Sequence, residues 1–325
     1  MSTPAGYALC FCAASVLLAG CAGSQPAALP QPGTMRLDRA DEARALAGDL
    51  LYLVGYNGGV AVFTYPQKRS VTTFTIGDGS LTDACVDASG DVFIPSVDIR
   101  TLSATIYEFA HGGTTPIATL PDPGEAAGCA IDPITGNLAV ANYSNQSDSG
   151  GNVAVYTDAK GSPTIYSDGA NLIHPSSVSY DNHGNLLVGG YGQTGAGFGL
   201  AEIAKGSSTF TGIELSQQIT GAESIQWTGK SLAITSTKEL LGSTYVYQAK
   251  ISGAAATIIG TTSLHTHSNQ GRVVSPYSWI VGKTIIVPVR KGAGFWSYPK
   301  GGEEKKPVSY PYGNALGVAV SRAPK

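Results

Sequence analysis

The chain has 325 residues, of which 42% are hydrophobic and only 13% charged, with 42 Gly and 18 Pro. A charged fraction well under the usual quarter leaves the surface to Ser, Thr, Asn, Gln and Gly. This excludes a helical bundle and a disordered chain, and it suits an all-β protein with many tight turns. A formal net charge of -3 provides no basic field, so no nucleic-acid partner is expected.

In chain order, residues 1–20 read as a signal segment. The apolar run at 7–20 (YALCFCAASVLLAG) has the length of a secretory h-region and is short for a membrane span. It ends in Leu18-Ala19-Gly20-Cys21. This resembles the bacterial lipobox, in which the cysteine is lipidated and becomes the first mature residue. The alternative is an ordinary signal cut near Ala22 or Gly23. The resemblance implies a lipid-anchored protein of the bacterial cell envelope, with Ala22 after the cysteine favouring the outer membrane. Its contact with the membrane would then be through the lipid on Cys21 alone. Residues 21–47 are the lipidated tether, small, polar and Pro-rich at first (AGSQPAALPQPGT).

A repeat fills residues 48–325. The clearest copy is GCAIDPITGNLAVANY at 128–143, two short apolar strands around an Asp-Pro-Ile-Thr-Gly-Asn turn. Counterparts of its second strand start at Asp49, Asp91, Asn137, Asn185, Lys230 and Lys283, spaced by 42, 46, 48, 45 and 53 residues. Most are preceded by a matching strand and turn, as in ACVDASG, SVSYDNHG, SIQWTG and VVSPYSWIVG. Each is followed by an amphipathic run (GGVAVFTY, GNVAVYT, STYVYQA) and then a Thr- and Ile-rich run (SVTTFTI, FTGIEL, ATIIGTT). Four short strands per unit of about 40–50 residues is the pattern of a β-propeller blade. The first unit lacks a leading strand, and ALGVAVS at 315–321 is a leading strand with no unit after it. The expected fold is therefore a six-bladed β-propeller of four-stranded blades, closed by the C-terminal strand joining the first blade. Closure removes unpaired edges. The pattern GxAxD, GNLxVANY, xVxVY resembles the six-bladed NHL and TolB-like propellers, whose architecture the gluconolactonase and streptogramin lyase groups share.

In such propellers, residues just before each leading strand and just after the returning one line a common mouth. The entry positions here hold Asp83, Glu125, His174, Glu223, Asn269 and Asn314, with His267 nearby. The returning positions hold Asp98, Asn142, Tyr143, Tyr191 and Arg290. These are the candidate ligand-binding residues. Acids and amides converging on one mouth suit a hard cation such as calcium, and the lactonase resemblance implies a divalent metal there. The alternative is a solvated rim with no ion. His265 and His267 alternate onto one side of a strand, but zinc would need ligands from other blades.

Several motifs carry nothing. The GxGxxG at 190–195 is followed by a Gly-rich, strand-like stretch rather than the helix that a dinucleotide site needs. There is no GxSxG elbow. GGEEKK at 301–306 reads as a charged hairpin tip. Cys85 and Cys129 sit at nearly matching places in consecutive units and form either a disulfide or two buried thiols. The expected function is non-catalytic, a monomeric module binding a protein partner or a small ligand. The alternative is a metal-dependent lactonase or lyase.

Overall fold

The computed structural model describes residues 46–77, 79–145, 150–167, 172–192, 197–238, 243–266, 273, 275 and 277–324, with the backbone alone at 223, 238 and 243. The chain is all-β. Among the described residues the strands group into six antiparallel meanders. The first consists of Leu50–Gly55, Gly59–Thr64 and Ser70–Thr75, and Ala315–Ser321 pairs with Leu50–Gly55 as its leading strand. The second has an interrupted leading strand, Ser80–Leu81 and Cys85–Val86, followed by Val92–Asp98, Ser103–Phe109 and Ala118–Asp122. The third runs through Gly124–Ile131, Leu138–Asn145, Asn152–Tyr156 and Thr164–Tyr166. The fourth runs through His174–Tyr180, Leu186–Tyr191, Phe198–Ile203 and Phe210–Leu215. Ala222–Trp227, Leu232–Lys238, Ser243–Ser252 and Ala255–His265 make the fifth. The sixth is Trp279–Val281, Thr284–Val289, Gly292–Ser297 and Gly301–Ser309.

The turn after the leading strand is built the same way three times. Asp132 Oδ1 accepts the Ile134 N–H at 2.9 Å, and Gly136 takes φ 75°. Asp181 Oδ1 accepts the N–H groups of His183 and Asn185, ahead of Gly184 at φ 82°. Asp87 Oδ1 accepts those of Ser89 and Asp91, around Gly90 at φ 91°. A short acid that bonds its own backbone and a glycine free to adopt positive φ close the hairpin at little cost.

The strands are apolar on both faces because each meander packs against two others. Leu50, Tyr52 and Val54 join Val92, Ile94 and Phe109 of the second meander. The alternate residues Leu51 and Leu53 join Ile286 and Phe295 of the sixth, together with Val318 and Val320. The second and third meanders share Phe93, Ile106, Leu138 and Tyr156. The third and fourth share Val153 and Val188, and the fourth and fifth share Leu200 and Ile234. Ala233, Val246, Ile285 and Trp296 join the fifth to the sixth. Each fully buried aliphatic or aromatic side chain contributes roughly 1.5–3 kcal/mol.

One feature differs from the sequence expectation. GGEEKK is part of the outer strand Gly301–Ser309 instead of a hairpin tip, and it pairs in parallel with the outer strand of the fifth meander (Leu264 with Gly302, His265 with Glu303). Charged residues suit an outermost strand, where they discourage pairing with other chains. His265 ends that neighbouring strand and faces Glu303 at 3.4 Å. Cys85 and Cys129, both buried, are joined as a disulfide between the second and third meanders, with a Cα–Cα distance of 5.7 Å.

Deleting residues 315–325 removes the partner of Leu50–Gly55 along its length. The truncated protein is expected to lose its cooperative thermal transition and to be degraded by trypsin under conditions that leave the full chain intact. Cys129→Ser releases a crosslink between residues 44 apart, and chain-entropy arguments put the cost at about 4 kcal/mol. Urea denaturation with and without reductant measures it, and the variant itself is expected to be insensitive to reductant.

Candidate functional site

A cavity of about 260 Å³ lies where five leading strands converge. The second meander supplies Asp83 and Cys85, and the third supplies Cys129, Ala130 and Ile131. The fourth contributes Ser177, Ser179 and Tyr180, and the fifth Ser224, Gln226 and Trp227. Tyr277, Ser278 and Trp279 complete it from the sixth. Each strand contributes a run of consecutive residues, so the cavity lies between the strands and is not lined by one face of them.

Most polar groups of the wall are committed to one another. Ser179 Oγ accepts the Trp227 N–H at 2.8 Å, and the Trp227 indole donates to Asn182 Oδ1 at 3.0 Å. Gln226 clamps Ile280, donating to its carbonyl at 3.0 Å and accepting its N–H at 2.6 Å. The Ser278 hydroxyl lies 2.7 Å from that of Thr235. The Tyr277 hydroxyl donates to the Ser176 carbonyl at 3.2 Å, which ties the sixth meander to the fourth. Ser177 differs: its hydroxyl is buried, 4% of the residue is exposed, and it has no hydrogen-bond partner among the described residues.

Among the described residues Asp83 is the one carboxylate in the lining. It sits in the gap between Ser80–Leu81 and Cys85–Val86, where the chain is too irregular to pair. Protein surrounds it, yet it keeps some accessible area because it faces the cavity. Burial pushes its carboxyl up to about 7, against the opposing effect of the Ala84 and Cys129 backbone N–H groups, the latter 3.4 Å from Oδ2. Two glycines make room for it. A Cβ on Gly317 would stand 2.5 Å from Asp83 Cα, and one on Gly128 would stand 3.5 Å from Oδ2 and 2.9 Å from the Ser176 carbonyl.

The other candidate residues are dispersed. Tyr143, His174 and Tyr191 do come together: Tyr143 stacks on His174 with ring centroids 4.5 Å apart and meets Tyr191 edge-on at 6.3 Å. His174 Nδ1 lies 2.8 Å from the Tyr143 carbonyl. Glu125 accepts the Ser144 hydroxyl at 2.5 Å. Asn142 turns inward instead of to a mouth. It is fully buried and donates to Asp122 Oδ1 at 2.8 Å and Asn152 Oδ1 at 2.9 Å, so its donors are spent on holding strands together. Asp98 is exposed and accepts the Arg100 N–H at 2.9 Å in a turn. Arg290 is exposed on a separate groove of about 480 Å³ with Lys291, Glu304 and Tyr310. Asn314 is exposed. The side chain of Glu223, His267, Asn269 and the proposed lipidation site Cys21 lie outside the described residues.

Among the described residues the cavity therefore takes in Asp83 alone of the predicted set. Its lining follows the middle and far ends of the leading strands, whereas His174 and Glu125 open those strands. From His174 to Tyr180 the strand covers about 20 Å, so the two ends present different surfaces. Among the described residues no group of three His, Cys, Asp or Glu side chains could hold a metal ion. One carboxylate among hydroxyls does not fit the six to eight oxygen ligands of calcium. No protein-family model matches the chain, and comparison with curated proteins gives no match.

The raised Asp83 carboxyl has a stability consequence. From about pH 4, where an unfolded Asp ionises, to about pH 7, the folded state holds a proton that the unfolded chain has released. Stability therefore falls as pH rises through this window, and the full penalty is present above 7. Three units at 1.36 kcal/mol set a ceiling of about 4 kcal/mol. Asp83→Asn is expected to match the parent near pH 4 and to exceed it in stability at pH 8, as read from urea midpoints at both values.

Proposed function

We propose that this chain is a lipid-anchored envelope protein whose six meanders are the blades of a six-bladed β-propeller, working as a non-catalytic binding module with its ligand in the axial cavity. The ring arrangement is supported by the succession of shared cores, in which the sixth meander packs on the first as the first packs on the second. The leading strands follow the same order of contact, Ala315–Ser321 touching both Cys85–Val86 and Trp279–Val281. The resemblance to NHL and TolB-like propellers agrees with this arrangement, and the apolar run ending at Cys21 is the ground for the anchor and the envelope location.

The observation that carries the binding role is a cavity built by five strands and walled by Asp83, serines and aromatic side chains. The unpartnered Ser177 hydroxyl lies buried in that wall, at a cost of about 1–3 kcal/mol. Ligand sites are characteristically concave with convergent polar groups, and this lining is concave and more polar than apolar.

Two of the chain's three tryptophans, Trp227 and Trp279, line the cavity, while Trp296 is buried elsewhere. A ligand seated there is expected to change the intrinsic fluorescence and to raise the melting temperature. Ser177→Val, which replaces the hydroxyl by a methyl and narrows the space, is expected to weaken that ligand at least tenfold while melting within a few degrees of the parent. A small-molecule screen in which no compound shifts the parent, or in which every hit binds Ser177→Val equally well, would overturn the assignment.

A further inference from the structure

Resting on the reading of the cavity as a ligand site, we infer that it takes a small organic monocation, a primary or quaternary amine seated between the Asp83 carboxylate and the rings of Tyr277, Trp227 and Trp279. The charge argument comes first. Asp83 has no cationic side chain paired with it among the described residues, and the hydrogen bonds it receives come from backbone N–H groups. A buried carboxylate is costly unless a positive charge meets it. An anionic ligand would be repelled by Asp83 and would find no Lys or Arg among the described residues of the lining. A neutral ligand would leave the carboxyl to be neutralised by a proton.

The walls point the same way. Four aromatic residues, Tyr180, Trp227, Tyr277 and Trp279, line a cavity that is otherwise Ser, Ala and Ile in large part. Aromatic ring faces attract cations by about 0.5–2 kcal/mol each, more when water is excluded. Ser179, Gln226 and Ser278 are hydrogen-bonded within the wall and the Ser177 hydroxyl is buried in it, so among the described polar groups Asp83 is the one turned to the amine. A volume of about 260 Å³ lies just below the usual range of ligand pockets, which begins at about 300 Å³. That suits an amine of choline size and excludes a peptide.

The pH behaviour follows from the same groups. Tyr180 and Tyr277 are the other ionisable side chains of the lining, and burial pushes the Tyr180 phenol further up, so it stays neutral. The disulfide does not titrate. On the neighbouring strands Glu125 is engaged with Ser144 and His174 with the Tyr143 carbonyl, and Ala315–Ser321 carries no charged residue. Asp83 is thus the group whose ionisation sets the affinity.

The test uses the whole protein, with choline and its uncharged isostere 3,3-dimethylbutan-1-ol, followed by calorimetry and thermal melts at pH 6 and pH 8.5. Choline is expected to bind at least tenfold more tightly than the isostere at pH 8.5 and severalfold more weakly at pH 6 than at pH 8.5. Asp83→Asn, a folded variant, is expected to remove both the preference and the pH dependence. Ser177→Val reports on the cavity itself. If the isostere binds as well as choline and Ser177→Val weakens both, the cavity stands as a ligand site and the cation assignment fails. Choline binding that survives Asp83→Asn unchanged also overturns the assignment. No binding of choline, methylammonium or tetramethylammonium at millimolar concentration overturns it as well.

Discussion

The pairing of Ala315–Ser321 with Leu50–Gly55 is the constraint on which the other packing depends. It joins residues more than 250 positions apart, from Leu50 opposite Ser321 to Val54 opposite Gly317. The loop-closure entropy of so long a segment grows only as the logarithm of its length, by about 0.6 kcal/mol per doubling. The strand that closes it is buried on both faces, Val318 and Val320 toward the sixth meander and Ala319 toward the second. Hydrogen bonds outside the ladder reinforce it. The Ser321 hydroxyl donates to the Gly90 carbonyl at 2.5 Å, His111 bridges Ser321 and the Gly48 carbonyl, and the Ala323 N–H reaches Asp49. The two chain ends and the second meander thus meet at one place, and the last strand made completes the first unit.

That closure also shapes the cavity. Leading strands can converge only if their inward side chains are small, and here they are Gly317, Gly128, Ser177, Ser224 and Ala84. A Cβ at Gly317 would press on the Asp83 backbone. Glycine at that position is therefore a matter of close approach, since its own backbone is ordinary strand. The larger residues Tyr277, Trp227 and Trp279 enter where more room is left, and Tyr277 reaches across to the Ser176 carbonyl. Composition that reads at first as weak in charge and rich in Gly and Ser is, in three dimensions, what lets five strands share one centre.

The repeat was legible because its signals are local. Period-two alternation marks Leu50–Gly55 and Leu138–Asn145, and an acid followed by glycine marks the turns at Asp87, Asp132 and Asp181. The matching places of Cys85 and Cys129 in successive units put them within bridging reach. What was not legible depends on other strands. GGEEKK has the composition of a loop, and its place as an outer strand is set by pairing with Gly292–Ser297 and with the fifth meander. Asn142 has the position of a mouth residue, but Asp122, to which nothing in the sequence drew attention, pulls it inward. Ser177 and Ser224 look like filler until the strands around them are in place. Of the predicted mouth, the sequence pattern did bring Tyr143, His174 and Tyr191 together, since all three stand at strand ends of adjoining meanders.

Comparing the two buried carboxylates separates structural need from what is left for function. Burial pushes both Asp83 and Asp122 up. Asp122 is met by the Tyr156 hydroxyl at 2.7 Å, the Asn142 amide at 2.8 Å and the Gly124 N–H at 2.9 Å, all from other strands. The carboxylate is thus fully engaged in joining the second and third meanders, although the Asn142 Oδ1 beside it is buried without a partner among the described residues. Asp83 receives backbone N–H groups alone, the one from Cys129 at 3.4 Å, and the remainder of its acceptor capacity faces open volume. Sequences that are otherwise locally consistent tend to break their own rules at working sites. In this chain the strand pattern breaks at residues 82–84, the acid there lacks a counter-charge among the described residues, and a serine opposite lacks a partner. All three lie at one cavity, and a cationic guest there would supply the counter-charge that the acid lacks.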